Sequence, residues 1–366
     1  MTNPLGIYIH IPFCAKKCNY CDFYSAFYNE DTLNTYMLAL KKEIEKWGGK
    51  INRPIDTVYI GGGTPSLLGN KVIELADCIK SNFTVCENAE FTAEVNPSSS
   101  GEFLSFAKMA GVNRLSIGVQ SGCDETLKTL GRTHTAQEAA FTVKTARDLG
   151  FNNISLDLMI ALPNSNIDTL KKDIDFILSL NPEHVSSYIL KIEKNTVFYN
   201  KYDTLNLPDD DAAAEQYLYM CNALEHNGYE HYEISNFAKN DFESRHNMKY
   251  WTEHDYLGIG PAAHSCVDGK RFYYPRDLKA FIKMPTIIND GISGDKSERL
   301  MLGLRLSSGV DLSQIYGEIT TNLKNKITLL EKAGYIKANL PYISLTNSGM
   351  LISNSIITEL LKDENI

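Results

Sequence analysis

A chain of 366 residues, 43% of them hydrophobic and 22% charged, carries enough apolar material for a large buried core and too much for wholesale disorder. Its 36 Lys and Arg against 45 Asp and Glu leave a formal charge of −9, which makes a nucleic acid backbone a poor default partner. No uncharged apolar run reaches the roughly 18 residues of a membrane span. Met1 to Gly6 lacks the basic, apolar and cleavage regions of a signal peptide, so the expected location is the cytoplasm.

The first 235 residues alternate short β-branched or aromatic runs with helix-period segments. Strands are predicted at Ile7–His10, Thr57–Ile60, Glu90–Val95, Arg114–Val119, Ile154–Ile160, Val185–Leu190 and Tyr232–Ile234. Between the first two, Leu33, Tyr36, Leu40, Ile44 and Trp47 recur at spacings of three or four and form one helix face. Gly48, Gly111, Gly150 and Gly228 each follow such a stretch, where a helix end favours a left-handed residue. Strand–helix alternation implies right-handed crossovers and a parallel sheet. About six such units predict a partial or complete (β/α) barrel; an open doubly wound sheet has the same pattern. Residues 236–294 break the rhythm with Asn, His, Gly and aromatics and are predicted to be an irregular segment. From residue 295 to 366 a helix at Leu323–Ala333, a turn at Asn339-Leu340-Pro341 and a last helix near Thr346 predict a small winged-helix-like domain. It has no dense basic stripe for DNA.

Five of the eight cysteines are scattered and suit a reduced core; the other three are not. Cys14, Cys18 and Cys21 lie on one tight loop directly after the first strand. Three closely spaced thiolates can hold three corners of an iron–sulfur cube and leave the fourth iron open. The alternative is a zinc site completed by His10, but structural zinc sites usually pair their ligands, and no second CxxC is present.

The pattern CxxxCxxC, with Tyr20 just before the third cysteine, resembles that of the radical SAM superfamily, where the open iron chelates S-adenosylmethionine. That ligand needs acceptors for its ammonium and ribose and a cation for its carboxylate. Ile60-Gly61-Gly62-Gly63-Thr64-Pro65 follows the second strand, and its glycines permit close backbone approach. Glu94, Gln120, Arg132 and Asp157 fall at strand ends or in the loops after them. Singly, each has an ordinary structural explanation. Together they are similar to the ligand set of the anaerobic coproporphyrinogen III oxidase-like family. The resemblance implies that Tyr8, Gly62, Gly63 and Thr64 line the methionine end, that Arg132 faces the carboxylate, and that Glu94, Gln120 and Asp157 serve the rest.

Within that family the oxidases carry CxxxCxxCxC and a long N-terminal extension, whereas Phe23 stands two after Cys21 here and six residues precede the first strand. The segment His246-Asn247-Met248-Lys249-Tyr250-Trp251 reads HNxxYW and resembles the signature of HemW-type heme chaperones. That resemblance implies a [4Fe–4S] cluster, S-adenosylmethionine and heme as cofactors, and transfer of heme to an acceptor hemoprotein. It also implies a monomer or homodimer, with His246 as axial imidazole and Tyr250 and Trp251 beside the macrocycle. Coproporphyrinogen oxidation or another radical reaction is the alternative. Two departures stand out: Ala161-Leu162-Pro163-Asn164-Ser165-Asn166 where the family has GLPGQT, and Ala262 where glycine is usual.

Overall fold

The computed structural model describes residues 3–99 and 101–362. Six parallel strands carry the fold: β1 (Leu5–Ile11), β2 (Ile55–Gly62), β3 (Val85–Val95), β4 (Arg114–Gln120), β5 (Ile154–Ile160) and β6 (His184–Ile189). They pair in sequential order, each in parallel, with helices in the crossovers. The helices are α1 (Glu30–Gly48), α2 (Lys71–Asn82), α3 (Phe103–Ala110), α4 (Asp124–Leu130), α5 (Ala136–Asp148) and α6 (Ile167–Ser179). This is the expected (β/α) architecture.

The two faces of the sheet differ in chemistry. Ile7, Ile9, Val58, Ile60, Ala93, Leu115, Ile117, Ile154, Leu156 and Val185 point to the helices and join one continuous core with Leu40, Ile44 and Leu75. The alternate positions point the other way and are polar: Tyr8, Tyr59, Glu94, Arg114, Ser116, Ser155, Asp157 and Ser186. Tyr59 and Tyr188 are four strands apart, about 19 Å in a flat sheet. Tyr188 nevertheless lies near enough to add to the rise that burial gives the Tyr59 pKa, so the sheet is curled into a partial barrel with a polar interior.

The segment predicted to be irregular is regular. It contributes α8 (Arg245–Trp251) and the strands β9 (Tyr256–Ile259), β10 (His264–Val267), β11 (Lys270–Tyr273) and β12 (Ile288–Ile292). β9 adds to β1 in parallel, and β10 to β12 continue outward as an antiparallel ladder. On the far side β7 (Glu230–Glu233) and β8 (Asn236–Ala238) close onto β6, completing one 12-stranded sheet; α7 (Asp210–His226) precedes them. Strands of three to five residues are too short to show a two-residue period, which is why their sequence looks like loop. Beyond them a three-stranded sheet, Val310–Asp311, Tyr342–Leu345 and Ile336–Asn339, packs with helices Thr321–Lys332 and Ser353–Leu361. No helix among the described residues is long and apolar enough to cross a membrane.

Candidate functional site

The carboxyl ends of the strands form the barrel mouth, and the three-cysteine loop emerges there from β1. The loop is held at several points. Ala26 N–H donates to the Pro12 carbonyl at 2.7 Å and Tyr28 N–H to the Cys14 carbonyl at 2.9 Å. Asn19 is a staple that sequence reasoning missed: its backbone N–H donates to Leu130 O at 2.9 Å and its amide to Thr129 O at 2.8 Å. Both acceptors are orphan carbonyls at the C-terminus of α4. Gly131 ends that helix with φ 77, a left-handed turn, and a Cβ there would lie 2.9 Å from Asn19. This contact brings the next residue, Arg132, to the cysteines.

Arg132 Nη1 stands 3.5 Å from Cys18 Sγ, Nη2 donates to Gly118 O at 2.6 Å, and Nε is buried with no partner. Burial opposes its charge, but Tyr20 and Cys18 outweigh burial and raise its pKa. On the other side Thr64 Oγ1 donates to Cys14 Sγ at 3.5 Å. Burial, reinforced by its two neighbouring cysteines, pushes the Cys21 thiol up to about 11. Three free thiols flanked by a guanidinium with an unused donor suit a thiolate-held cluster and a carboxylate beside it.

The zinc alternative needs His10 as its fourth ligand, and His10 is engaged on both nitrogens: Nε2–H donates to Tyr24 O at 3.0 Å and Nδ1 accepts from the Tyr8 hydroxyl at 2.9 Å. Burial lowers its pKa to about 4, so it stays neutral.

The glycine turn is a tight fit. Gly62 has φ 116, and a Cβ on it would lie 2.6 Å from the His10 ring. Its N–H donates to Glu94 Oε2 at 2.9 Å while the Tyr59 hydroxyl donates to Oε1 at 3.1 Å. Glu94 faces Asp157 across the interior. Burial first and Asp157 second raise Glu94 to about 7. Burial raises Asp157 to about 6 against a hydrogen bond from Ser116 at 3.2 Å. Gln120 adopts φ 70 at the end of β4, beside Gly118 and Arg132. Tyr8, Gly62, Gly63, Thr64, Glu94, Gln120, Arg132 and Asp157 thus gather on the mouth and upper interior with the cysteine loop.

The expected heme residues lie directly below this group, with the His246 ring 5.3 Å from that of Tyr59 and 6.5 Å from that of Tyr8. α8 closes the barrel floor, where Glu90 accepts the N–H groups of Arg245 and His246 at 3.0 Å each. His246 is fully buried; Nδ1 pairs with Thr57 Oγ1 at 2.9 Å and Nε2 with the Tyr250 hydroxyl at 2.8 Å. Five residue steps from Thr57 to Gly62 separate this floor from the mouth by about 17 Å. His246, expected as axial imidazole with Tyr250 and Trp251 beside the macrocycle, is thus closed off within the floor. His246 has no free nitrogen in this conformation, Tyr250 is its hydrogen-bond partner, and Trp251 stacks under the Arg305 guanidinium at 4.1 Å.

Ala161 (φ 55), Asn164 (φ 63) and Ala262 (φ 67) hold left-handed backbone at the departures from the family pattern. The glycine geometry persists there without glycine.

A curled parallel sheet with a three-cysteine loop and a glycine turn at its mouth is the arrangement of the radical SAM class of proteins. The model of the Radical SAM superfamily matches residues 8–177, and that of the HemN C-terminal domain matches residues 297–352. The chain is 36% identical to the heme chaperone HemW of Bacillus subtilis (strain 168), over 95% of this chain and 97% of the relative. It is 35% identical to the heme chaperone HemW of Escherichia coli (strain K12), over 97% of each. Among solved structures, the coproporphyrinogen III oxidase HemN of Escherichia coli, a radical SAM enzyme, superposes with a TM-score of 0.83 at 22% identity, over 98% of this chain and 90% of that one. The chain belongs to the HemW family of the radical SAM superfamily.

Proposed function

We propose that this protein is a cytoplasmic heme chaperone that binds heme and hands it to an acceptor hemoprotein. The full-length similarity to HemW relatives carries this reading. Cys14, Cys18 and Cys21 hold a [4Fe–4S] cluster, whose open iron supplies a chelation point for S-adenosylmethionine. Arg132 binds the ligand's carboxylate with its unused Nε donor. Tyr8, Gly62, Gly63 and Thr64 line the methionine end, and Glu94, Gln120 and Asp157 accept from its polar groups. The division of the chain into residues 1–235, 236–294 and 295–366 serves as a barrel, a floor-and-edge segment and an appended C-terminal domain.

His246 ligates the heme iron once Nε2 is released from Tyr250, with Tyr250 and Trp251 beside the macrocycle. Hemin titration of anaerobically reconstituted protein tests this. Tyr250→Phe removes the competing hydroxyl and is expected to tighten hemin binding, while His246→Ala shifts the Soret band and weakens it. Equal affinity in all three proteins would place heme elsewhere. Coproporphyrinogen III assayed in parallel with S-adenosylmethionine and a reductant is expected to remain unconverted; robust turnover would favour the oxidase alternative.

A further inference from the structure

Arg114 is among the largest fully buried side chains, 2% exposed, at the start of β4. It lies on the polar interior face, two residues and therefore about 6.6 Å below Ser116, whose hydroxyl holds Asp157. Among the described residues its guanidinium makes no ion pair, and Nε is buried without a hydrogen-bond partner. Directly opposite in the strand register stands Thr92, also fully buried, whose Oγ1 is likewise unpartnered. Two orphan polar groups side by side on one interior face are costly, since a buried donor or acceptor without a partner loses its hydration for nothing. A buried cation without a counter-ion is costlier still.

Asp157 lies within reach of the Arg114 charge but makes no ion pair with it, being bonded to Ser116 instead. Tyr59, Asp157, His184, Tyr232 and His246 all feel its charge. His184 is bonded on both nitrogens, to Ser155 at 2.7 Å and Tyr232 at 2.8 Å, and burial holds its pKa well below the usual imidazole range. The nearby carboxylate of Glu90 is committed to the N-terminus of α8. A compact anion with acceptor oxygens would satisfy both orphan groups, because it accepts from the guanidinium and from the threonine hydroxyl together. The mechanism proposed for the barrel mouth uses neither residue.

We propose that Arg114 and Thr92 form a carboxylate-binding subsite on the barrel floor. Resting on the heme reading above, its occupant is a heme propionate, since Arg114 and His246 share the floor layer.

The test uses the full chain with its cluster reconstituted. Melting is followed with sodium propionate, and with propionamide at matched ionic strength as the neutral probe. Wild-type protein is expected to be stabilised saturably by propionate and not by propionamide. Arg114→Gln abolishes that stabilisation. Thr92→Val, close to isosteric, weakens it while raising the melting temperature of the ligand-free protein, because an unpaired hydroxyl is removed. Should Arg114→Gln fail to fold, Thr92→Val decides. Absence of propionate-specific stabilisation, or its persistence in these variants, overturns the subsite. In a second arm mesoporphyrin and its dimethyl ester are titrated by absorbance. Preference for the diacid by about tenfold, lost in the variants, identifies the propionate as occupant. Propionate stabilisation without that preference upholds the subsite and refutes the tetrapyrrole as its source.

Discussion

Replacing Arg132 with alanine isolates the carboxylate contact of the proposed S-adenosylmethionine site. The side chain has one clear structural bond, from Nη2 to Gly118 O at 2.6 Å, and two looser approaches at 3.5 Å, Nη1 to Cys18 Sγ and Nη2 to Asn96 Oδ1. Its Nε has no partner, so a ligand carboxylate gains a charge-assisted donor at no cost to an existing bond. Such a contact contributes about 1.5–3 kcal/mol, which corresponds to roughly 10- to 150-fold in affinity. The cysteine loop is stapled through Asn19 to Leu130 and Thr129, not through Arg132, so the cluster is expected to assemble normally in the variant. Arg132→Lys keeps the charge but loses the planar fork, and an intermediate affinity is expected. The assay is calorimetric titration of S-adenosylmethionine into anaerobically reconstituted protein, with bound iron and broad visible absorption as controls. Unchanged affinity in Arg132→Ala, with the cluster intact, refutes the assignment and moves the carboxylate elsewhere.

Three other outcomes follow from the geometry. Alanine at Cys14, Cys18 or Cys21 is expected to abolish iron–sulfur absorption and most bound iron, whereas alanine at Cys78 or Cys221 leaves both unchanged; iron analysis checks this. Glu94 and Asp157 have folded-state pKa values raised to about 7 and about 6, so the folded protein holds protons that the unfolded chain releases. Their effect on stability is therefore favourable at acid pH and is lost as pH rises from about 4 to 7. Glu94→Gln should flatten that slope in urea titrations, and wild-type affinity for S-adenosylmethionine should rise across the same window as the carboxylates ionise. Ala262→Gly relieves a left-handed alanine at φ 67 and is expected to stabilise by roughly 0.5–1 kcal/mol, read as a higher melting temperature.

The features legible in the sequence were those written in local spacing. The three cysteines after a β-branched run specify a loop at a strand end, and Gly61-Gly62-Gly63 specifies a backbone that must come close to something. In the structure that something is the His10 ring and Glu94. Helix ends were legible in part for the same reason: Gly111, Gly150 and Gly228 follow their helices with positive φ, whereas Gly48 is the last residue inside α1 and has no positive φ. The six long parallel strands were legible as well, because runs of six to eleven residues show their burial. Glu94, Gln120, Arg132 and Asp157 required the family resemblance to be singled out.

Tertiary structure alone decided what meets across the barrel. A two-residue period tells which side chains share a face of one strand, but not which distant strands a curled sheet brings together. Tyr59, Thr92 and Arg114 therefore went unnoticed, although the alternation of polar and apolar positions in Arg114–Gln120 carried the signal. The same limit applies to HNxxYW. Its residue types suit an open imidazole flanked by aromatics, yet burial depends on the chain that covers it. Because α8 packs under β2 and β3, with Glu90 at its N-terminus and Thr57 on the His246 ring, the motif closes the floor, and opening it requires breaking those bonds.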